Sequence, residues 1–340
     1  MTVYGSETYT LMDSLKGRDP DGRLGDIVNV MGRAENVVMD MPWMATNDTT
    51  SHVTHVNTSL PEVFYGRAGR GIAASKSDVD SVRYGVASLE TRMEVDHKTF
   101  LTWGEDSGRY MKQKMDEHAM ALGQKLEYTI FNGSTAINPD SFNGLSKLYN
   151  DTSLENGANI IDGGGVSSVN TSMWIIDWHP TEMHGIYQKG FPAGLQILHE
   201  KDASGDGCIS KPDANGYPVR MHSTLMSWSA GISITDWKRV CRIANIDVNL
   251  LNTNNASQAK LPELIVKGLA RVTKKGGKKI IYANADIFTN LQLQAQRGSY
   301  AQLGYMTANN QFGTSFEELV WNGIPIRRAD EILSSEGVVS

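Results

Sequence analysis

Three stretches of this sequence carry residue types at spacings that chemistry uses. The first is His179, Glu182 and His184, two imidazoles and a carboxylate close together. A helical zinc pair sets its histidines at i and i+4 on one face, with a glutamate between them. The histidines here have a different spacing, and Pro180 interrupts any helix, so no metal is expected there. The second stretch, Gly163-Gly164-Gly165, has the backbone freedom to cradle a phosphate. No lysine follows it and the next element reads as a strand, so it is expected to be a plain loop. The third, Asp202 to Asp213, places oxygen ligands at the first, third, fifth and last loop positions, with Gly207 sixth and Ile209 eighth, as a calcium loop does. Flanking helices are missing, Pro212 stands where the exit helix would start, and Asp213 replaces the bidentate glutamate. A surface β-hairpin turn is the expectation. No serine lies in a nucleophile-elbow setting, and neither Cys208 nor Cys241 has a histidine partner in a recognisable local signature. The residues thus nominate no catalytic group, no cofactor and no metal, and binding is expected in place of catalysis.

Composition narrows the class further. A chain of 340 residues can bury a sizeable core and divide into two subdomains. Its formal charge is −6, whereas a dedicated nucleic-acid binder carries a basic face. The one dense basic run, Lys274-Lys275-Gly276-Gly277-Lys278-Lys279, reads as a solvated turn. With two cysteines, no secretory leader and no apolar run near the roughly 20 residues of a membrane span, the chain is expected to be soluble and made in a reducing compartment. Abundant Gly, Asn, Ser and Thr suit a loop-rich α+β protein.

The elements that would position any site are organised round one long helix. Met111, Met115, Ala119, Leu122, Leu126 and Ile130 recur at steps of three and four, while Lys112, Asp116, Lys125 and Glu127 fall elsewhere. The spacing predicts a helix over 105–132, opened by a capping box from Thr102 to Glu105 and stopped at Asn132-Gly133. Before it, residues 1–40 read as an arm that lies on another surface. Ser51 to Thr58 is β-branched and polar without helical period, and a matching run follows at Val82, Tyr84 and Val86, then Leu89, Thr91, Met93 and Val95 on the shifted phase. A long two-stranded hairpin results, with a basic tip through Arg67, Arg70 and Lys76. Such a ribbon is marginal alone and leaves both edges open, so a neighbouring subunit is expected to cover it. Arg67 and Arg70 would then meet carboxylates of that neighbour.

Downstream, Ser172 to Trp178 reads as a buried strand, and 185–190 as an irregular section. Val219 to Thr235 and Val240 to Ile246 are expected strands divided by a turn at Asp236-Trp237. Leu261 to Val272 is helical, Ile280 to Ala283 a short strand, and Ala285 to Arg297 a second helix, a small layered α/β unit. The tail folds as two strands, 316–321 and 324–328, round Asn322-Gly323.

Together these segments resemble the major capsid proteins of short-tailed bacteriophages over about 41–333. The matching words are Met41-Pro42-Trp43 with Asn47 and His52, Leu60-Pro61, Ser75-Lys76-Ser77, Phe131-Asn132-Gly133, Phe142-Asn143-Gly144-Leu145, and Ile161-Asp162-Gly163-Gly164-Gly165. They continue through Gly185-Ile186-Tyr187, Lys189-Gly190 with Gly194-Leu195, Arg242 to Asp247, and Gly323 to Arg328. Gln188 departs from the proline expected of the family, and the turn at 205–213 is longer than usual. The resemblance implies the α+β Hong Kong 97 capsid fold. Its parts would be an N-terminal arm over 1–45, an extended β-hairpin loop over 46–98, a peripheral domain from 99–165 and 310–340 carrying the spine helix 105–132, and an axial α/β domain over 166–309 with inserted loops. It implies a structural subunit of pentamers and hexamers in an icosahedral head around double-stranded DNA, assembled in the bacterial host cytoplasm. A separate scaffolding protein, a portal and a decoration protein are partners by analogy, DNA contact is non-specific, and no membrane is involved. Arg67, Arg70 and Lys76 are the nominated inter-subunit contacts. A head-completion or tail ring protein, and a hydrolase built from 177–184 and the glycine loop, remain as alternatives.

Overall fold

The structure, a computed structural model, describes residues 36–202, 207–213, 215–252, 259–298, 300–309 and 315–340. Most of the expected arm over 1–40 lies outside them. In chain order the strands are β1 Trp43–Ala45, β2 Ser51–Ser59, β3 Asp78–Gly85, β4 Ala87–Asp96 and β5 Ile160–Asp162. Then come β6 Asn170–Trp178, β7 Met183–Tyr187, β8 Gln196–Glu200, β9 Ile209–Pro212 and β10 Pro218–Ile234. The last five are β11 Val240–Asp247, β12 Lys278–Ala283, β13 Leu303–Asn309, β14 Ser315–Trp321 and β15 Ile324–Arg328. No described helix is long and apolar enough to cross a membrane.

The chain forms two compact units. One contains Ser88–Leu126 and Pro192–Ser229, the other Ala34–Ala87, Glu127–Phe191 and Ala230–Ser340. The smaller has a core of Met93, Val95, Trp103 and Tyr110, with Phe100, Met111 and Met115 against it. Here β10 pairs with β9 over Pro218–Met221 and with β8 over Ser223–Ser227.

The larger unit is built on a seven-stranded sheet in the order β13-β14-β15-β12-β6-β11-β5. Every residue of β6 is buried, as a strand at the sheet centre with a Met173-Trp174-Ile175-Ile176 run requires, and its one carboxylate, Asp177, is paired with Arg239. Its alternation sends Met173 and Ile175 into a cluster with Leu261, Leu264 and Ile265 of the helix Leu261–Arg271 and Ile287 and Leu291 of the helix Ala285–Gln296. Asn284 caps that second helix, accepting from the Ile287 amide at 3.0 Å. Trp174, next in register, meets Phe131 and Tyr149 with ring centroids 6.2 and 6.1 Å away.

The long helix runs Ser107–Asn132. Thr102 belongs to a separate short helix, His97–Thr102, and Gly104–Asp106 is a 3-10 turn, so the helix begins later than the expected capping box. Its stop is the one foreseen: the Gly133 amide bonds the Thr129 carbonyl at 2.9 Å, and a Cβ on Gly133 would stand 2.4 Å from the Phe142 carbonyl oxygen. Leu122, Leu126 and Ile130 are buried and Lys112, Asp116 and Lys125 exposed, but Glu127 is fully buried, against expectation.

Three further expectations change. The second arm of the ribbon breaks at Val86, so β3 alone pairs with β2, and β4 leaves for a different sheet. The hairpin therefore ends near Gly85, not at 98. The irregular section at 185–190 begins as strand β7, parallel to β1, with Gly185 opposite Trp43; a Cβ on Gly185 would lie 2.9 Å from the Met41 sulfur. The tail hairpin forms where expected, its turn residues Asn322 and Gly323 at φ 49° and 81°. It joins β12 through β15, Ile281 opposite Ile326, so the expected boundary at 309/310 does not divide the sheet.

Buried charges tie these pieces together. Arg242 of β11 donates to the Ser172 hydroxyl at 2.9 Å, the Tyr149 carbonyl at 2.7 Å and the Glu336 carboxylate at 2.9 Å. Arg239 reaches Asp177 and Glu182. Removing a buried guanidinium strands its partners at a cost of about 3–5 kcal/mol. Arg242→Ala is expected to lose about that much in urea unfolding, and Arg242→Lys to recover only part of it, since one ammonium cannot span the fork. A loss under about 1 kcal/mol would contradict this role.

Candidate functional site

The feature least explained by the chain's own packing is the hairpin β2–β3. It forms a two-stranded sheet with no third strand among the described residues. Its register is regular from Ser51 opposite Gly85 to Asn57 opposite Val79. Every residue from Asn57 to Arg83 is exposed. That span includes Leu60, Val63, Tyr65 and Ile72 at 82, 90, 104 and 62%. Large apolar side chains gathered on one exposed segment mark an interaction surface.

The base of the hairpin is held firmly. Asn47 clamps Val53 through both main-chain groups, donating to its carbonyl at 2.7 Å and accepting from its amide at 2.8 Å. The Thr49 amide and Ser51 hydroxyl hold the Asp48 carboxyl below the usual carboxylate range. Tyr84 donates its hydroxyl to the Ile234 carbonyl at 2.5 Å, and burial pushes that phenol up to about 12. Between this base and Tyr149, Leu154 and Trp237 lies a cleft of about 430 Å³, mostly apolar in its lining. On another side His52 meets His184 edge-on, ring centroids 5.5 Å apart. Burial drives His184 down to about 4, helped by the His52 and His179 rings, and burial also lowers His52.

The nominated residues Arg67, Arg70 and Lys76 all lie in the exposed loop joining β2 to β3. The Arg70 amide bonds the Arg67 carbonyl at 3.1 Å in a turn that needs Gly69 at φ 80°. Lys76 pairs with Asp78 at 3.1 Å, both largely exposed. The apolar tip residues escaped the sequence reading because they follow no period; Pro61 and the surrounding glycines signalled loop and nothing more.

The other chemical stretches disperse. Glu182 serves Arg239, His179 bonds its neighbour Thr181, and His184 is buried, so the three share no centre. Gly163 and Gly165 pack on β11, their amides bonding the Ala244 and Asn245 carbonyls at 2.8 and 2.7 Å. Cβ atoms there would collide with Asn245 and Asn170, which explains the triplet without a phosphate. Residues 203–206 of the calcium-like loop lie outside the described residues; strand β8 precedes it, strand β9 takes up its second half where the exit helix of a calcium loop would start, and Asp213 accepts from the Asn215 and Tyr217 amides in a turn. The basic run at 274–279 is not simply solvated. Lys274 pairs with Asp236, Lys278 with Asp40, and Lys279 donates to the Val272 carbonyl.

A family described as major capsid protein GP7 matches residues 19–340. The chain belongs to this family. Among solved structures, it is similar to a chain of the near-atomic structure of bacteriophage epsilon15, with 24% identity over 100% of this chain and 99% of that one, at a TM-score of 0.73. A chain of the bacteriophage JBD30 capsid aligns at 9% identity over 89% of this chain and 93% of that one, TM-score 0.47. No curated protein matches by sequence. The fold is thus the α+β Hong Kong 97 capsid fold, and among the open alternatives the family decides for the shell subunit over the ring protein.

The His184 burial predicts a pH response. Its folded value lies below the ordinary one near 6.5, so the unfolded chain binds more protons between about 6.5 and 4. Stability is complete above about 6.5 and falls toward pH 4, by on the order of 3 kcal/mol. Urea midpoints across that range are expected to drop in the parent chain and less in His184→Phe; identical slopes would count against it.

Proposed function

We propose that this major capsid subunit assembles into pentamers and hexamers, and these into an icosahedral head around double-stranded DNA, with the hairpin β2–β3 as the extended loop that each copy lays on a neighbour. The observation that carries this is the uncovered span Asn57 to Arg83, whose strand edges and apolar side chains have no cover in their own unit. Strand edges left open gain hydrogen bonds from another chain, so assembly supplies part of the stabilisation a lone subunit lacks. Arg67, Arg70 and Lys76 contribute charge at the loop tip, where carboxylates of the neighbouring copy are the complementary partners. The helix Ser107–Asn132 acts as the spine helix, and residues 1–45 as the arm. A scaffolding protein and a portal direct assembly in the host cytoplasm. A net charge of −6 supports a wall that confines DNA without gripping its phosphates. The role is structural, with no catalytic step.

Electron microscopy of the expressed chain tests the proposal, with closed shells as the expected result and single rings or only small species as the result that overturns it. Arg67→Glu with Arg70→Glu is expected to keep the unfolding free energy within about 0.5 kcal/mol of the parent's while cutting shell yield severely. Normal shells from that variant would remove the tip's role. Limited proteolysis is expected to cut free subunits between Asn57 and Arg83 and to spare assembled ones.

A further inference from the structure

In the smaller unit three metal-ligating side chains converge that nothing in the capsid role requires. His97 Nδ1 lies 3.1 Å from His222 Nε2, and Cys208 Sγ lies 3.4 Å from the first and 3.7 Å from the second. Each presents a lone pair to the same small space. A tetrahedral zinc ion with Zn–N near 2.0–2.1 Å and Zn–S near 2.3 Å spaces its ligands about 3.3 Å apart for N to N and about 3.6 Å for N to S. The observed edges of 3.1, 3.4 and 3.7 Å fall close to these values.

Each ligand is placed by its own backbone. The β9–β10 register sets Ile209 opposite Met221, so Cys208 and His222 are the next facing pair. Gly207, at φ 75°, turns the chain into Cys208. His97 follows the end of β4, where Asp96 caps the short helix by accepting from the Lys98 amide at 3.0 Å. Around the triangle, Phe100 covers the His222 ring at 4.3 Å and stacks on His97 at 6.5 Å. The main chain of Gly207 bonds the His222 ring, the kind of outer contact that orients a ligating imidazole. Cys208 is buried, while both histidines are half-buried, so water reaches the open side.

We propose that His97, Cys208 and His222 form a site for a zinc-class divalent ion, with water in the fourth position. Binding breaks the Cys208 S–H bond: the sulfur keeps the electron pair for the metal and the proton leaves to solvent, while each imidazole gives the lone pair of one nitrogen. The ion's role is a staple. It joins the end of β4 to the start of β9 and to β10, beside the core cluster of Met93, Val95, Trp103 and Tyr110. A metal that the unfolded chain cannot hold in place adds its binding free energy to the folded state.

Cobalt titration of the full-length, metal-stripped, reduced chain tests the proposal, because cobalt reports both thiolate ligation and four-coordinate geometry in its spectrum. Expected are one equivalent bound per chain, a thiolate-to-cobalt charge-transfer band, intense visible bands, and displacement of all three by zinc. Cys208→Ser should lose the charge-transfer band, His222→Gln should weaken binding at least about tenfold, and Cys241→Ser should keep both. Zinc should raise the thermal midpoint of the parent and of Cys241→Ser, and calcium should not. No thiolate band in the parent chain, or a band that survives Cys208→Ser and vanishes in Cys241→Ser, would overturn the assignment. If Cys208→Ser does not fold, the parent and Cys241→Ser spectra decide alone.

Discussion

An antiparallel pair of strands standing without a third cannot satisfy its own edges, and that constraint organises this molecule. In β2–β3 each strand bonds the other on one side only, and the outward N–H and C=O groups remain for water or another chain. The tip adds Leu60, Val63, Tyr65 and Ile72, side chains that water solvates poorly. A subunit built this way has an incomplete energy minimum by itself. In the proposed shell, association with like subunits continues folding by the same two forces, backbone pairing and apolar burial.

An open ribbon is useful only if its root is rigid, and the structure invests buried polar groups there. Asn47 locks the strand at Val53, and Tyr84 reaches the Ile234 carbonyl across a long stretch of sequence. Behind them Asp40, nearly buried, accepts from Lys278, Arg327 and the Tyr282 hydroxyl. Burial of Tyr282, with the Asp40 charge beside it, raises that phenol well above its ordinary value, so it stays a neutral donor. Such networks give little net stability against an apolar alternative, but they specify one arrangement, because any shift leaves a charge unpaired in a medium that penalises it.

Glycine supplies the matching close approaches. At Gly133, Gly163, Gly165 and Gly185 a single added carbon would meet carbonyl oxygens or side chains under 3.0 Å away. Short words that carry the family resemblance, such as Met41-Pro42-Trp43 with Gly185-Ile186-Tyr187, or Ile161 to Gly165 with Arg242 to Asp247, turn out to be paired surfaces. Each word is conspicuous because its partner fits against it without room for substitution.

Elements whose cause is local were determined by the sequence alone. The stripe from Met111 to Ile130 needs only helical geometry, the stop at Gly133 only the lack of a Cβ, and the hairpin at Asn322-Gly323 only two residues that accept positive φ. Tertiary structure decided what depends on distant partners. The break at Val86, the burial of Glu127, the capture of Lys274, Lys278 and Lys279 by separate acceptors, and the arginines at 239 and 242 turned inward all depend on which strand lies alongside. Cys208 and His97 are 111 residues apart in the chain and 3.4 Å apart in space. Spacing along a sequence reports on a ligand set only when one element carries all of it, and here a helix start, a turn and a strand meet to make the triangle.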